Sequence, residues 1–239
     1  MPIERNTSGF SALAAGDPLA DLDFGNPRKW ATFMDDFVAY DLGQAAGNPY
    51  TFTQTNCTDS IAGPTGVVVL TLGGADNDSG QLQLTTGPFQ TNSKRLFFEA
   101  KVKLELASGG TIAANEMVIG LASLQTTTNF MAADGLSMTA DDFLGFRKFD
   151  GDAALDAIMR ENDSESTDDS VWTPVDDTFA TLSIYYTGSE ARFYVDNVLK
   201  ATITGSDTVS VVAPVLYIKA GEAKANVLHC DYILVAAER

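Results

Sequence analysis

The residues Glu161-Asn162-Asp163-Ser164-Glu165 have the types and spacing best suited to acid–base chemistry in this chain. In a strand, carboxylates at positions i, i+2 and i+4 share one face, because successive side chains alternate. An outer pair on that face could act as nucleophile and acid in a retaining glycosidase. The following segment, 166–170, reads as a loop, which could not hold two carboxylates at a fixed separation. We therefore predict that the chain is not an enzyme.

A second set of oxygen donors, Asp76-Asn77-Asp78-Ser79-Gly80, has the alternating spacing of calcium-binding loops and a glycine for the sharp turn. Gly87 stands where such a loop would supply a bidentate glutamate, so a plain turn is the favoured interpretation. Asp76 and Asp78 remain as candidates for Ca²⁺, and no other cofactor is expected. The acidic stretch 150–169 is another candidate, but unpaired like charges repel and favour a solvated loop.

Histidine and cysteine offer little further chemistry. His229 is the single histidine, and its neighbour Cys230 must point to the opposite face of a strand, so the two cannot form a dyad. We expect His229 to be a strand residue with a hydrogen-bonded ring. Cys57 and Cys230 are too few for a disulfide framework or a four-ligand zinc site. They could be spatial neighbours, and in a reducing compartment we expect free, buried thiols.

The elements that must position these residues have the two-residue period of β-strands. Phe98 to Leu106 alternates apolar and charged residues, and Phe179 to Thr204 contains three strands in series, two of them joined by Asp196-Asn197. Short strands separated by turn residues predict an all-β fold, a two-sheet antiparallel jelly-roll sandwich. The predicted strands outside 179–204 are 50–55, 67–72, 81–85, 96–106, 117–124, 143–149, 155–160, 215–220 and 227–235.

The N-terminal region has a different pattern. Residues 1–28 lack either period and are interpreted as an extended arm, which leaves 29–239 as the β-sandwich domain. Trp30, Phe33, Met34 and Phe37 have helical spacing and could cap the core or dock another subunit. Ala132 to Phe143 is the only other segment that allows a short helix, with Thr139 as its N-cap.

Composition restricts the partners. The 239 residues carry a formal net charge of −17, so nucleic acid and anionic membranes should repel the chain, whereas a basic surface would suit it. No segment approaches the roughly 20 apolar residues of a membrane span. Residues 1–24 have no apolar block of the kind found in a signal peptide. We expect synthesis in a cytoplasm without export.

Four segments, in this order, resemble concanavalin A-like jelly-roll sandwiches: Arg95–Val102, Val118–Ala122, Leu144–Lys148 and Ala191–Asn197. In particular they are similar to a group in tailed-bacteriophage virions, which serve as capsid decoration (cement) or fibre proteins. This resemblance implies a virion protein on the capsid exterior, made in the host cytoplasm, binding the major capsid protein lattice as a homo-oligomer, with a trimer favoured. The residues expected to dock on the capsid are Phe10, Leu13, Leu19, Leu22, Phe24 and Trp30.

Two other functions stay open under the same fold. A carbohydrate-binding module or phage fibre domain would need exposed aromatic residues on a concave face, for which Trp172, Tyr185 and Tyr217 are the candidates. The acidic motif also resembles the catalytic strand of β-sandwich glucanases, including the laminarinases, in which the intervening positions are apolar. Here those positions are Asn162 and Ser164, and the departure weakens the enzymatic interpretation.

Overall fold

The computed structural model describes residues 27–38, 48–62, 66–91, 94–125, 130–131, 138–205 and 211–239. In these ranges the chain forms fifteen β-strands and no helix, and so no helix that could cross a membrane. The strands are β1 (Trp30–Asp35), β2 (Tyr50–Thr55), β3 (Cys57–Ala62), β4 (Val67–Leu72), β5 (Ser79–Leu84), β6 (Leu96–Glu105), β7 (Asn115–Ser123), β8 (Phe143–Lys148), β9 (Leu155–Glu161), β10 (Ser164–Trp172), β11 (Ala180–Tyr186), β12 (Glu190–Val195), β13 (Val198–Thr204), β14 (Val212–Ala220) and β15 (Val227–Glu238).

These strands make two antiparallel sheets. The eight-stranded sheet has the order β13-β12-β11-β6-β15-β4-β3, and β1 pairs with β15 from Ile233 to Glu238. The seven-stranded sheet has the order β10-β9-β8-β7-β14-β5-β2. Strands that are far apart in sequence lie side by side, as β6 and β15 do. The predicted all-β sandwich of two antiparallel sheets is therefore confirmed.

The main core lies between the sheets, and strand alternation decides which side chains enter it. Phe98 and Val102 of β6 belong to the same buried cluster as Ile119 of β7 and Phe146 of β8. Phe146 meets Phe193 of β12, in the other sheet, edge to face, with ring centroids 5.4 Å apart. Residues of odd and even number on each strand thus divide between this core and an outer face.

The predicted strands are confirmed where the two-residue period is clear. The bounds of β2 and β4 are as predicted, and the hairpin turn at Asp196-Asn197 has the expected positive φ at both residues, 48° and 64°. Three strands were not predicted: β1, β3 and β10. The interpretation of 166–170 as a loop is wrong, because these residues belong to β10. Residues 166–168 pair with β9, and the register shifts between Asp168 and Trp172.

The helical interpretation of Trp30 to Phe37 is also wrong. Residues 30–35 form β1, because they pair with the last residues of β15. Trp30 is 1% exposed, so its side chain is not available to dock on a capsid, and the prediction for this residue is wrong. The predicted short helix from Ala132 to Phe143 is not formed at its C-terminal end. Met138 makes an antiparallel β-bridge with Met131, and Phe143 is the first residue of β8. Residues 1–26, with the other predicted docking residues, lie outside the described residues, so the predicted arm stays a prediction. Those residues are Phe10, Leu13, Leu19, Leu22 and Phe24.

Candidate functional site

The acidic motif lies at the tip of the β9–β10 hairpin. Asn162 and Asp163 have positive φ, 46° and 67°, which is typical of a two-residue hairpin turn. Glu161 ends β9, whereas Glu165 lies on β10, opposite Arg160. The three carboxylates are therefore spread over two strands and a turn, and the single-strand geometry considered for a glycosidase is not formed.

Glu165 makes an ion pair within the sheet. Arg147 of β8 donates from Nη1 to Oε2 at 2.6 Å and from Nη2 to Oε1 at 2.9 Å, and its guanidinium lies 4.1 Å from the Phe149 ring centroid. Burial raises the pKa of Glu165, but the hydrogen bonds and charge of Arg147, with help from Thr167 and Arg160, outweigh it and lower the pKa. The sequence analysis did not identify Arg147. Its position in the buried strand β8 was a signal, because a charged side chain that is buried in a strand needs a partner of opposite charge.

A second pair, Lys219 and Glu116, is buried on the same outer face of the seven-stranded sheet. Lys219 Nζ lies 2.8 Å from Glu116 Oε1, and the side chains are only 4% and 2% exposed. Burial raises the pKa of Glu116 more than Lys219 lowers it. Beside them Tyr217 and Ser79 are fully buried. Burial, and then the charge of Glu116, raises the pKa of Tyr217 against the opposing effects of the Met131 backbone and Ser79. Neither of these two contacts has hydrogen-bond geometry.

The chain covers this outer face with its own aromatic residues. The Phe130 ring lies 6.2 Å from that of Phe143 and 6.3 Å from that of Tyr217, centroid to centroid. Phe130, Met131 and Met138 form a buried cluster with these side chains. Gly145 leaves room for Phe143, since a Cβ there would meet the ring at 2.4 Å. The face is thus filled from within the molecule.

The three candidate glycan-binding aromatics are not brought together. Tyr217 is 0% exposed and packs against Phe130, so its ring is not available to bind a glycan, and the prediction for this residue is wrong. Trp172, at the end of edge strand β10, packs partly buried against the main core. Tyr185 lies on the outer face of the other sheet, in a cluster with Phe97. Strand register places them on three different surfaces, a relation that residue type alone could not predict.

The calcium-like segment lies at the turn between β4 and β5, and its last two residues, Ser79 and Gly80, begin β5. Asp78 Oδ2 accepts hydrogen bonds from Ala75 N at 2.7 Å and from Asn56 Nδ2 at 2.9 Å, and Asp78 is 4% exposed. Asp76 accepts a hydrogen bond from the amide of Asn77. Across the described ranges, no group of three or more His, Cys, Asp or Glu residues could hold a metal ion. Asp78 therefore holds the turn together.

His229 is a strand residue whose Nε2 lies 2.9 Å from Glu105 Oε2, as expected. Burial, then the charge of Lys103, lowers its pKa below the usual range.

Both cysteines are free and buried. Cys57 of β3 pairs with Leu72, whereas Cys230 of β15 pairs with Val68 at the other end of β4, so they are not neighbours. Burial raises the pKa of Cys57 to about 12 and raises that of Cys230 as well.

No family model matches the chain, and no curated protein matches it. Among solved structures it is similar to a protein of unknown function, SO2946, from Shewanella oneidensis MR-1 (TM-score 0.59, 13% identity, 88% of this chain and 87% of that one). It is similar to the Emp47p carbohydrate recognition domain (TM-score 0.57, 13% identity, 88% and 97%). It is also similar to a glycoside hydrolase family 16 endo-glucanase from Bacteroides ovatus (TM-score 0.53, 13% identity, 84% and 98%). The chain therefore has the concanavalin A-like lectin and glucanase fold.

Proposed function

We propose that this chain is a non-enzymatic virion structural protein, a capsid decoration (cement) protein that binds the outer surface of a tailed-phage head and stabilises its subunit junctions. The observation that carries the non-enzymatic part is the Arg147–Glu165 pair. It holds Glu165, one of the two glutamates that a retaining mechanism would use, in a structural contact. The phage part rests on the sequence resemblance of the strand series.

The mode of action is physical. The sandwich supplies a rigid body, and the arm with one sheet edge buries apolar area across junctions between capsid subunits. The edge strand β13 suits such a contact, because Val198 and Leu199 are 55% and 49% exposed. At about 25 cal/mol per Å² of apolar area, a modest contact repeated over a lattice resists internal pressure.

The same proposal covers the partners, the oligomeric state and the location of the protein. Its net charge of −17 suits a basic patch of the capsid lattice, and neither nucleic acid nor a membrane is a partner. The chain assembles as a homotrimer, is made in the host cytoplasm and acts on the virion exterior without a cofactor. Light scattering of the purified protein measures its mass, and melting with Ca²⁺ or with chelator tests the role of Asp76 and Asp78.

Cryo-electron microscopy of phage particles from the source lysate tests the location. Density for this sandwich on the head exterior, at lattice junctions, is the expected result. Density only at the tail or fibres would move the function to receptor binding. If purified particles contain no peptide of this chain by mass spectrometry, the virion proposal fails.

A second candidate is carbohydrate binding, favoured by the similarity to the Emp47p carbohydrate recognition domain. The partly exposed Trp172 and Tyr185 would then belong to separate sites, since they lie on different sheets. A glycan array with the purified chain tests this candidate. Binding that W172F or Y185F abolishes would support it, and an empty array would reject it.

A further inference from the structure

Four buried oxygen atoms that have no hydrogen-bond partner within the described part of the chain lie together on the outer face of the seven-stranded sheet. They are Ser79 Oγ, Gln81 Oε1, Glu116 Oε2 and Tyr217 Oη, and we call these four residues the polar cluster. Each of the residues is at most 2% exposed. Buried polar atoms in folded proteins are almost always hydrogen-bonded, because an unpaired one is costly. Four of them on one face therefore point to a bound partner.

Strand register brings the polar cluster together. Lys219 of β14 lies opposite Ser79 of β5 on one side and opposite Glu116 of β7 on the other. Tyr217, two residues earlier on β14, lies opposite Gln81. It is also the diagonal neighbour of Ser79 and Glu116, within reach of a tyrosine side chain. The cluster thus occupies a patch of two strand spacings by one two-residue step, about 10 by 7 Å.

The two acceptor-only oxygens have lost the rest of their side chains to other contacts. Gln81 Nε2 donates to Gln125 O and lies 3.5 Å from Gln83 Oε1, which fixes the amide and leaves Oε1 as the free end. Glu116 holds Lys219 Nζ at 2.8 Å with Oε1, and Oε2 is left over. Two oxygens that only accept cannot bond each other, so each needs a donor from elsewhere.

The two hydroxyl groups do not supply these donors. The Tyr217 ring packs against Phe130, with 6.3 Å between the ring centroids, and this contact fixes the position of Oη. Ser79 has a short side chain on β5, two strands away from Glu116 on β7. The partner must therefore bring donors of its own and can accept from the hydroxyls.

Charge selects a neutral partner. Lys219 already balances Glu116, and both side chains are at most 4% exposed. A further cation would be a buried charge without a counter-charge, and an anion would face the oxygens of Glu116 and Gln81. Water is neutral, donates and accepts, and commonly makes about three hydrogen bonds to buried polar groups.

We propose that the polar cluster is a site for buried, ordered water. One or a few molecules donate hydrogen bonds to Glu116 Oε2 and Gln81 Oε1. The same molecules accept hydrogen bonds from the hydroxyls of Tyr217 and Ser79. This water links β5, β14 and β7 and solvates the buried Lys219–Glu116 pair. The inference does not depend on the proposed virion function.

A high-resolution crystal structure of the full chain tests the site directly. We expect electron density for water within about 3.2 Å of at least two of the four oxygen atoms. Direct hydrogen bonds among the four side chains, with no water between them, would overturn the proposal. Density for an ion or an organic molecule in this place would also overturn it.

Oxygen-17 magnetic relaxation dispersion tests the site in solution, because it detects water that exchanges more slowly than the protein tumbles. S79A/Y217F removes both hydroxyls of the polar cluster and keeps the charged pair, so the dispersion amplitude should fall by at least one water molecule. S164A/S166A removes two exposed hydroxyls of β10 and should leave the amplitude unchanged.

Circular dichroism checks that each variant keeps the fold. If S79A/Y217F does not fold, Y217F alone, which removes a single oxygen atom, takes its place and should lower the amplitude in the same direction. An amplitude equal to that of the natural chain in a folded variant would overturn the proposal.

Discussion

Arg147 on β8 reaches across β9 and donates two hydrogen bonds, of 2.6 and 2.9 Å, to the carboxylate of Glu165 on β10. The two-pronged geometry fixes both side chains in one plane. β10 is an edge strand whose residues are exposed from Ser164 to Ser170, so it has little apolar area to hold it on the sheet. The ion pair thus supplies an attachment that packing does not.

E165Q should therefore destabilise the fold. The substitution keeps the shape of the side chain but leaves the Arg147 guanidinium, 5% exposed, without its counter-charge. The expected loss in the free energy of unfolding is about 2 kcal/mol, below the cost of breaking a fully buried pair because Glu165 is partly exposed. Urea denaturation at neutral pH measures it.

The matched control is D168N, which changes an exposed carboxylate on the same strand and should cost less than about 0.5 kcal/mol. If E165Q were instead more stable than the natural chain, Glu165 would behave as a strained functional carboxylate does. That outcome would reopen the glycosidase interpretation.

Periodicity predicts the strands whose two faces differ. β4 and β2 were predicted to the residue. β10 could not be predicted in this way, because its residues up to Ser170 are all polar. No alternation of apolar and polar residues is therefore visible there. β1 was misassigned since Trp30, Phe33 and Phe37 happen to have helical spacing. Its true partner, β15, lies about 200 residues away in the sequence, and local reasoning cannot detect such a pairing.

The contacts of the candidate site follow from register, which the sequence does not display. The acidic motif was found from its spacing, but the role of Glu165 depends on Arg147, two strands away in the sheet. Tyr217 has the residue type of a glycan-binding aromatic, yet Phe130, 87 positions earlier, packs over it. The ion pair of Glu165 and the burial of Tyr217 both depend on contacts between residues that are far apart in the sequence.

A methyl group at Gly120 should disrupt the seven-stranded sheet. Gly120 of β7 lies directly opposite Gly145 of β8, and a Cβ there would be 2.5 Å from Leu144 O and 2.6 Å from Gly145 Cα. Backbone atoms cannot move aside as a side chain can, so G120A should cost about 2 kcal/mol. Differential scanning calorimetry should show a lower melting temperature, while T58A, at an exposed strand position, should leave it unchanged. An unchanged G120A melt would mean that β7 and β8 separate easily.

The cysteines should be unreactive in the folded protein. The thiolate is the reactive form, and burial raises the pKa of Cys57 to about 12 and raises that of Cys230 well above its usual value. Ellman's reagent should detect no thiol at pH 8 in the native chain and two after denaturation. Rapid labelling of C230S under native conditions would show that Cys57 becomes exposed through local opening. Absence of labelling after denaturation would show a disulfide, contrary to the register that separates the two.

Glu99 should make stability depend on pH. Its folded pKa is raised above the usual value of 4.5 because burial disfavours the charged form. The folded state therefore holds the proton to higher pH than the unfolded state, and stability falls as pH rises through the interval between the two pKa values. Each pH unit in that interval corresponds to about 1.4 kcal/mol.

E99Q removes this charge while keeping groups that can bond Tyr232 and Ser183. We expect E99Q to match the natural chain near pH 4 and to exceed its stability above neutral pH, by urea denaturation at each pH. E105Q, an exposed carboxylate on the same face of β6, should not produce such a crossover. If E99Q followed the natural chain at every pH, Glu99 would be hydrated in solution.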